Sequence, residues 1–352
     1  MRPREGVRHL LDELLAGLPE REVVITELAY HRDRYRHPDG KAPTVPQPVV
    51  TPVAAEPSIA EYPLVDHIVE YVAGERLVTQ LNLDPCADAF LHQHKFRDRP
   101  LMPVVVTLEA IAQTAALLAG TQRQVVGLRD IKILNGLRFF DDQRQTARVH
   151  AIRRGDLIEC RFTCDFYNRR GQLVQRDKPY LQAVVELAAA AHPCPPQQLL
   201  IPDCEWHPID YPESETQIWH GPIFRTAVES ADDGQRMWAR LIARPTNELH
   251  AGRSGSRWLT PSALLDGCFF VAGIFIWLRQ PGAVSLPDGL ESIRLGRPAR
   301  PGEQCVAQVQ FRTNSEHTAF FDIRLTGDDG RLIADIAGYH NRIARLELPH
   351  AH

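Results

Sequence analysis

Two segments of the sequence are almost continuously apolar, Val104–Gly120 and Ala263–Leu278. Each contains a polar or acidic residue and is short for a membrane span, so the pattern predicts two buried helices. Pro103 and Pro261 stand at their starts, where a helix tolerates a residue without an amide hydrogen. We therefore expect neither helix to cross a bilayer.

Apolar and polar residues alternate around each predicted helix, in short runs that turn residues interrupt. Such alternation is typical of half-buried strands. In the first half it starts at 66–81 and continues to Leu187. In the second half HGPIFRTAVES and MWARLIA are interpreted as strands, and 302–348 as three strands separated by turns at 314–317 and 327–330. The order of elements therefore occurs twice.

An apolar helix wrapped by a curved antiparallel sheet explains this combination in each half. We predict an α+β double hot-dog fold, with two antiparallel sheets that each wrap a long central helix. Two proline-rich breaks, at HPDGKAPTVPQP and HPCPPQQLLIP, are interpreted as linkers because proline interrupts helices and internal strands. The predicted division is a head at 1–30, a linker at 31–62, a hot-dog unit at 63–190, a linker at 191–210 and a second unit at 211–347.

Composition excludes several classes of function. The net charge is −4 and the basic residues are scattered, which argues against nucleic-acid binding. The N-terminus lacks the apolar core of a signal peptide, and the seven cysteines form no CxxC pair. These features favour reduced thiols and a cytoplasmic location.

His94 and Asp266 are the candidate catalytic residues. His94 lies in HKFRDRPLMP before the first helix, and Asp266 lies in LTPSALLDGCFF within the second. A neutral imidazole is a suitable general base at neutral pH, and a carboxyl group is a suitable acid when burial raises its pKa. Asp266 has a structural alternative, which is a buried salt bridge to Arg257 or Arg294.

Three sequence motifs resemble those of polyketide synthase dehydratase domains. HKFRDRPLMP resembles their HxxxGxxxxP motif, WHGPIF their xGPxF strand, and PSALLDGCFF the second-half motif, in which Asp precedes Gln or His by four positions. LEAIAQTA and WHGPIF are most similar to iterative synthases of the polyunsaturated-fatty-acid and enediyne type. The head, within 1–30, resembles the end of a ketoreductase domain, which implies a larger multidomain synthase.

The resemblance implies that His94 removes the α-proton of a 3-hydroxyacyl thioester and that Asp266 protonates the departing hydroxyl. Backbone amides near Val104 and Val105 would stabilise the thioester oxygen. Glu109 is a reserve acid that could instead form hydrogen bonds within the core. The other residues expected at the pocket are Pro103, His220, Gly221, Pro222, Phe224 and Phe270.

The resemblance also implies the partners of the domain. The substrate would be carried on the phosphopantetheine of an acyl carrier protein, so no metal or redox cofactor of its own is expected. The other expected partners are neighbouring synthase domains and a second copy in a homodimer. Exposed arginines such as Arg97, Arg99 and Arg297 are candidates for docking the acidic carrier.

Two residues depart from the family motifs. Asp98 replaces the glycine of the first motif, which implies a somewhat different loop, and Phe270 replaces the Gln or His that would orient Asp266. Two alternatives stay open. One is a degenerate dehydratase with a structural or dimerising role, which these departures favour, and the other is an enoyl isomerase or cyclase on the same fold.

Overall fold

The computed structural model of the protein describes residues 56–345, except 141–142, 168–170, 192, 194, 197–202, 214–217 and 316. The predicted head at 1–30 and most of the predicted linker at 31–62 lie outside the described residues. The proposed unit boundaries therefore stay predictions.

Both predicted core helices are confirmed. The described helices are α1 (Ala89–His92), α2 (Val104–Ala119), α3 (Thr246–Leu249) and α4 (Ser262–Arg279). Residues 105–118 of α2 are all buried, and most of α4 is buried as well. By length and apolar composition α4 is the one described helix that could span a membrane, but two thirds of it is covered by the surrounding protein.

The strands of the first half follow the predicted alternation. They are β1 (His67–Val72), β2 (Arg76–Leu83), β3 (His94–Phe96), β4 (Arg99–Pro100), β5 (Gln124–Ile133), β6 (Gln145–Arg154), β7 (Leu157–Tyr167) and β8 (Leu173–Ala188).

The strands of the second half include the three predicted after residue 302. They are β9 (His207–Pro208), β10 (Ile218–His220), β11 (Ala227–Asp232), β12 (Arg236–Ile242), β13 (Ala283–Leu295), β14 (Gln304–Ser315), β15 (Thr318–Thr326) and β16 (Leu332–Arg345).

The two halves share one antiparallel sheet with the strand order β1-β2-β6-β7-β8-β5-β13-β16-β15-β14-β12-β11-β9. Either side of the β5–β13 pair, the order repeats as a mirror image, which is the duplication that the sequence indicates. Helix α2 packs against β2 and β5 to β8, whereas α4 packs against β11 to β15. The double hot-dog prediction is confirmed, with the refinement that the two predicted sheets are continuous.

Strand β13 forms the junction of the halves, and the sequence analysis did not predict it. Its pairing with β5 runs from Gly289 opposite Lys132 to Arg294 opposite Gly127. A Cβ atom on Gly127 would lie 2.8 Å from the carbonyl oxygen of Ile293, so only glycine permits this approach of the two backbones. The junction therefore depends on a residue that carries no hydrophobic signal.

The prediction that HGPIFRTAVES forms one strand is wrong in its middle. Strand β10 ends at His220, residues 222–224 form a turn, and β11 begins at Ala227. Proline fixes its own φ and lacks an amide donor, so Pro222 starts a turn and does not continue the strand. Instead, β10 joins β3 and β4 in a separate three-stranded sheet.

Candidate functional site

The small sheet brings the two halves together at the candidate site. Strand β3 belongs to the first half and β10 to the second, and they pair antiparallel with His94 directly opposite His220. The amide of Gly221 donates a 2.7 Å hydrogen bond to the carbonyl oxygen of Gln93, which extends the contact by one residue. Both histidine residues are buried, at 4% and 5% exposure.

The His94 ring has a defined orientation. Its Nδ1 lies 2.7 Å from the carbonyl oxygen of Leu101, which can only accept, so Nδ1 carries the hydrogen and Nε2 keeps a free lone pair. The ring packs edge-on against His220, with centroids 5.4 Å apart, and against Phe224 at 5.6 Å. His94 is therefore held as a neutral base.

Burial lowers the pKa of His94 to about 4, because the charged imidazolium loses its hydration. The neighbouring His220 also lowers this pKa, whereas Asp266 and the bond to Leu101 raise it. His94 is therefore a neutral imidazole across the neutral pH range, with its one hydrogen on Nδ1.

Asp266 lies in the second turn of α4 and is buried. One carboxylate oxygen, Oδ2, is 3.2 Å from Nε2 of His220. One ring nitrogen each of His94 and His220 and one carboxylate oxygen of Asp266 lie within 4.8 Å of one another. The alternative salt bridges do not form. Arg257 instead pairs with Glu61, and Arg294 with Asp335, at 3.4 and 2.9 Å.

Phe270 forms an apolar wall beside this group. It stacks on Tyr211 with ring centroids 4.4 Å apart and lies 5.1 Å from the ring of His220. The Tyr211 hydroxyl is held by the backbone of Ala227. Phe270 thus shapes the space around Asp266 but offers it no hydrogen bond.

The side chains of His94, His220 and Asp266 line a cavity of about 650 Å³ that runs between the halves. Of the other predicted pocket residues, Val104 and Phe270 line it as well. Most of the remaining wall is apolar, from both halves, with Phe162, Leu181, Ile274 and Trp277 as examples. An elongated acyl chain matches such a lining.

Six predicted pocket residues are not among the lining residues. Pro103 precedes α2 as its N-cap, and Val105 is fully buried in the core. Gly221 lies against the side chain of Gln93, 2.6 Å from where a Cβ would be. The others are Pro222 in the turn, Phe224 behind the His94 ring, and Glu109.

Glu109 connects the two central helices. From α2 it accepts hydrogen bonds from the amides of Leu259 and Thr260 and from the Thr260 hydroxyl, at 2.7–2.8 Å. The side-chain amide of Gln113, on the next turn of α2, also donates to Glu109. Burial raises the pKa of Glu109 to about 7. Glu109 therefore has the structural role left open by the sequence: it fixes the start of α4, which carries Asp266.

The Asp98 loop keeps a glycine-like backbone. Asp98 has a φ of 57° and Arg97 a φ of 51°, both in the left-handed region. Aspartate tolerates this region better than most residues, at an energetic cost that glycine does not have. The replacement is accommodated with the backbone angle for which glycine is usually required.

Three residues of the site were not predicted from the sequence. Tyr211 lies on the ring of Phe270, and Tyr339 and Asn341 line the cavity from β16. Asn341 is 1% exposed, and its Oδ1 has no hydrogen-bond partner among the described residues. A signal was present in the sequence, because Asn341 shares the inward-facing phase of β16 with the apolar residues Tyr339 and Ile343.

Within the part of the chain that the structure describes, two groups of side chains have the spacing of a metal site. The first is His94, His220 and Asp266. The second is Glu303, Asp328 and Asp329, where Arg297 and Arg300 already neutralise the carboxylates. The engagement of Arg297 in this ion network also makes it a poor docking residue, contrary to the sequence-based prediction.

Comparison with known proteins agrees with the sequence resemblance. Residues 213–347 match the sequence model of the family described as polyketide synthase dehydratase N-terminal domain. The fold is similar to the dehydratase domains of the CurF and CurK modules of curacin polyketide synthase, both with a TM-score of 0.64, at 16% and 17% identity. These cover 81% of this chain and 100% and 99% of theirs.

A dehydratase domain of a trans-AT polyketide synthase from Brevibacillus brevis is similar in the same way. Its TM-score is 0.62 at 16% identity, and the alignment covers 81% of this chain and 100% of that domain. The described residues therefore have the double hot-dog fold of polyketide synthase dehydratase domains, and the resemblance to these domains is confirmed. The similarity to synthases of the polyunsaturated-fatty-acid and enediyne type and the ketoreductase resemblance of the head stay predictions.

Proposed function

We propose that this chain is a dehydratase domain that eliminates water from a 3-hydroxyacyl thioester to give a 2-enoyl thioester. The observation that carries the proposal is the meeting of His94 and Asp266, from opposite halves, at one buried cavity. Its premise is the dehydratase-type fold together with the match of residues 213–347 to the dehydratase family.

In the proposed reaction the free Nε2 of His94 takes the α-proton of the substrate. Asp266 donates a proton to the β-hydroxyl, which leaves as water. The proton on His94 then returns to Asp266 across the short distance between them, and the enzyme is restored. The hydrogen bond from His94 Nδ1 to Leu101 supports this step, because it stabilises the imidazolium that forms transiently.

The start of α2 is the proposed site for the thioester oxygen. This oxygen gains negative charge when the α-proton leaves, and first-turn amides of a helix have no intrahelical acceptor. Val104 lies at this end of α2 and lines the cavity. The amides at Val104 and Val105 are therefore proposed to stabilise the enolate.

We propose an acyl carrier protein as the partner that delivers the substrate. Arg97, Arg99 and Arg138 are exposed, and the guanidinium groups of Arg97 and Arg138 lie over Phe96, a residue of the cavity wall. A basic rim suits an acidic carrier and the phosphate of phosphopantetheine. The prosthetic group belongs to the carrier, so the domain needs no cofactor of its own.

Charge reversal tests the docking rim. The double variant R97E/R99E is expected to raise KM for a carrier-bound substrate about tenfold or more while leaving KM for a carrier-free thioester unchanged. Arg154→Glu, at the end of β6 and outside the cavity lining, is the matched control. Equal effects of R97E/R99E on both substrates would contradict a carrier-docking role.

The neighbouring synthase domains, the homodimer and the cytoplasmic location remain part of the proposal. Strand β1 is one edge of the large sheet, and Val69 and Val72 on it are exposed hydrophobic residues. An edge of this kind favours pairing with a second copy. Light scattering of the wild type and of a V69K variant measures whether a dimer forms there.

Turnover of a 3-hydroxyacyl N-acetylcysteamine thioester, followed by mass spectrometry, tests the activity. The wild type is expected to lose water, whereas His94→Phe and Asp266→Asn lower kcat about 1000-fold, the scale of a lost general acid or base. His250→Phe is the control, because His250 is a buried histidine outside the cavity. A wild type without turnover indicates the degenerate alternative, and a product double bond shifted from C2 indicates an isomerase.

A further inference from the structure

His220 is held in place from several directions. Strand β10 pairs it with His94, and the guanidinium of Arg225 donates a 2.7 Å hydrogen bond to its carbonyl oxygen. The next residue, Gly221, bonds to the carbonyl oxygen of Gln93. The backbone at His220 is therefore fixed relative to both halves of the site.

The side chain of His220 points at Asp266. Its Nε2 lies 3.2 Å from Oδ2 of Asp266, and both groups are buried. Asp266 Oδ2 has no aligned hydrogen bond among the described residues, and neither has the other ring nitrogen of His220. The two atoms are thus at hydrogen-bond distance, and a small rotation of the ring or carboxyl aligns them, as is common in substrate-free sites.

Phe270 cannot orient the carboxyl group of Asp266 through a hydrogen bond. The second motif of the dehydratase family has Gln or His at this position, four residues after the aspartate, whereas phenylalanine offers no donor. Here the aromatic ring packs on His220 at 5.1 Å and thereby limits the movement of the imidazole. A buried carboxyl group without an aligned donor would have more than one orientation.

We propose that His220 is the positioning residue of Asp266, in place of the polar group that Phe270 lacks. The inference rests on the proposed dehydratase function. The Nε2–H of His220 donates to Oδ2 of Asp266, which turns the other oxygen, Oδ1, toward the substrate hydroxyl. His220 keeps its proton throughout: the proton given to the hydroxyl comes from Asp266, and the proton that restores it comes from His94.

Transplanting the donor between the two positions tests the proposal. His220→Phe keeps the ring but removes the donor, and we expect kcat to fall about 10- to 100-fold with KM changed less than about twofold. Phe270→Gln, added to that variant, places a donor on α4 itself and is expected to recover about tenfold in kcat. His220→Gln, which keeps a side-chain N–H, is expected to retain more activity than His220→Phe.

His250→Phe is the matched control, because His250 is also a buried histidine that stacks on an aromatic ring, Trp258, but does not line the cavity. Its kcat is expected to equal that of the wild type. Melting temperatures of all variants show whether any loss of turnover reflects loss of folded protein. If His220→Phe does not fold, the comparison of His220→Gln with and without Phe270→Gln decides.

The outcomes separate this inference from the proposed function. A wild type that does not dehydrate the thioester overturns the function itself. An active wild type with His220→Phe unimpaired, or impaired without recovery by Phe270→Gln, overturns the positioning role alone. Turnover that EDTA abolishes and Zn²⁺ restores would also overturn it, since His94, His220 and Asp266 would then hold a metal ion.

Discussion

His94 and His220 are cross-strand partners whose rings meet edge-on with centroids 5.4 Å apart. One comes from β3, directly before the first central helix, and the other from β10, which precedes β11 in the second half. Their pairing fixes the distance between the base and the neighbourhood of Asp266, so the geometry of the site is set by a backbone ladder. A ladder of this kind is stiffer than contact between two loops.

The first prediction concerns the decrease of kcat/KM at acidic pH. Because burial lowers the pKa of His94 to about 4, the base stays neutral well below pH 6.5, and kcat/KM is expected to decrease only below about pH 5. The measurement is kcat/KM against pH with an N-acetylcysteamine substrate. A midpoint near 6.5, the ordinary value for histidine, would mean that His94 is hydrated during turnover.

Stability has a matching pH dependence. Between about pH 6.5 and 4 the unfolded chain binds a proton at His94 that the folded chain rejects, so folding loses stability as the pH falls through this window. His94→Phe is expected to make the free energy of unfolding less dependent on pH there. Urea denaturation at pH 7 and pH 5 measures the difference, and an unchanged slope would contradict the assignment.

Removal of the Glu109 bridge between the helices is predicted to destabilise the protein. Glu109→Ala leaves the amides of Leu259 and Thr260 without their acceptor, at a cost of roughly 1–3 kcal/mol for each buried group. Urea denaturation measures the loss. Glu61→Gln is the control, because that side chain is largely exposed and its partner Arg257 is half-exposed.

The pH dependence of the same bridge has the opposite sign to that of His94. The pKa of Glu109 is raised to about 7 from 4.5, so between these values the folded chain holds a proton that the unfolded chain releases. Its contribution to stability is present below pH 4.5 and decreases as the pH rises to 7. Glu109→Gln is expected to remove this slope.

Gly273 is predicted to determine the length of chain that the cavity accepts. It lies on α4 in the cavity wall, and a Cβ there would meet only the Ser285 hydroxyl at 3.4 Å. Gly273→Leu is therefore expected to fold and to fill part of the cavity, raising KM about tenfold for a long acyl thioester but not for a short one. Gly273→Ala is the control, and equal KM changes for both substrates would refute the prediction.

Replacement of Asp98 tests the left-handed loop. Asp98 has a φ of 57°, so Asp98→Gly should relieve backbone strain. Asp98→Ala loses the polar side chain and keeps the energetic cost of the left-handed backbone. We expect the alanine variant to be less stable than the glycine variant by about 1 kcal/mol. Thermal denaturation compares the two, and equal melting temperatures would show that the loop changes conformation instead.

Much of the fold was predictable because it depends on local periodicity. Helices α2 and α4 repeat apolar residues over several turns, and strands β14 to β16 alternate with clear breaks. Strand β13 escaped prediction because Pro287 and Gly289 interrupt its alternation, and its pairing with β16 shifts register at these residues.

The candidate site was predictable only in part. The sequence motifs identify His94 and Asp266, but nothing local indicates that His220 lies at Asp266 or that Glu109 binds the start of α4, 151 positions away at Thr260. Asn341 was detectable as a polar residue on an inward phase, but its place in the cavity depends on which strands flank β16.

The sequence by itself determined which residues are proposed for the proton chemistry and which segments form the two central helices, because side-chain type and periodicity are properties of the chain. Tertiary structure decided how the two halves meet. That depends on backbone hydrogen bonds between β3 and β10 and between β5 and β13, and peptide groups are the same at every position, so the sequence pattern contains no direct record of this pairing.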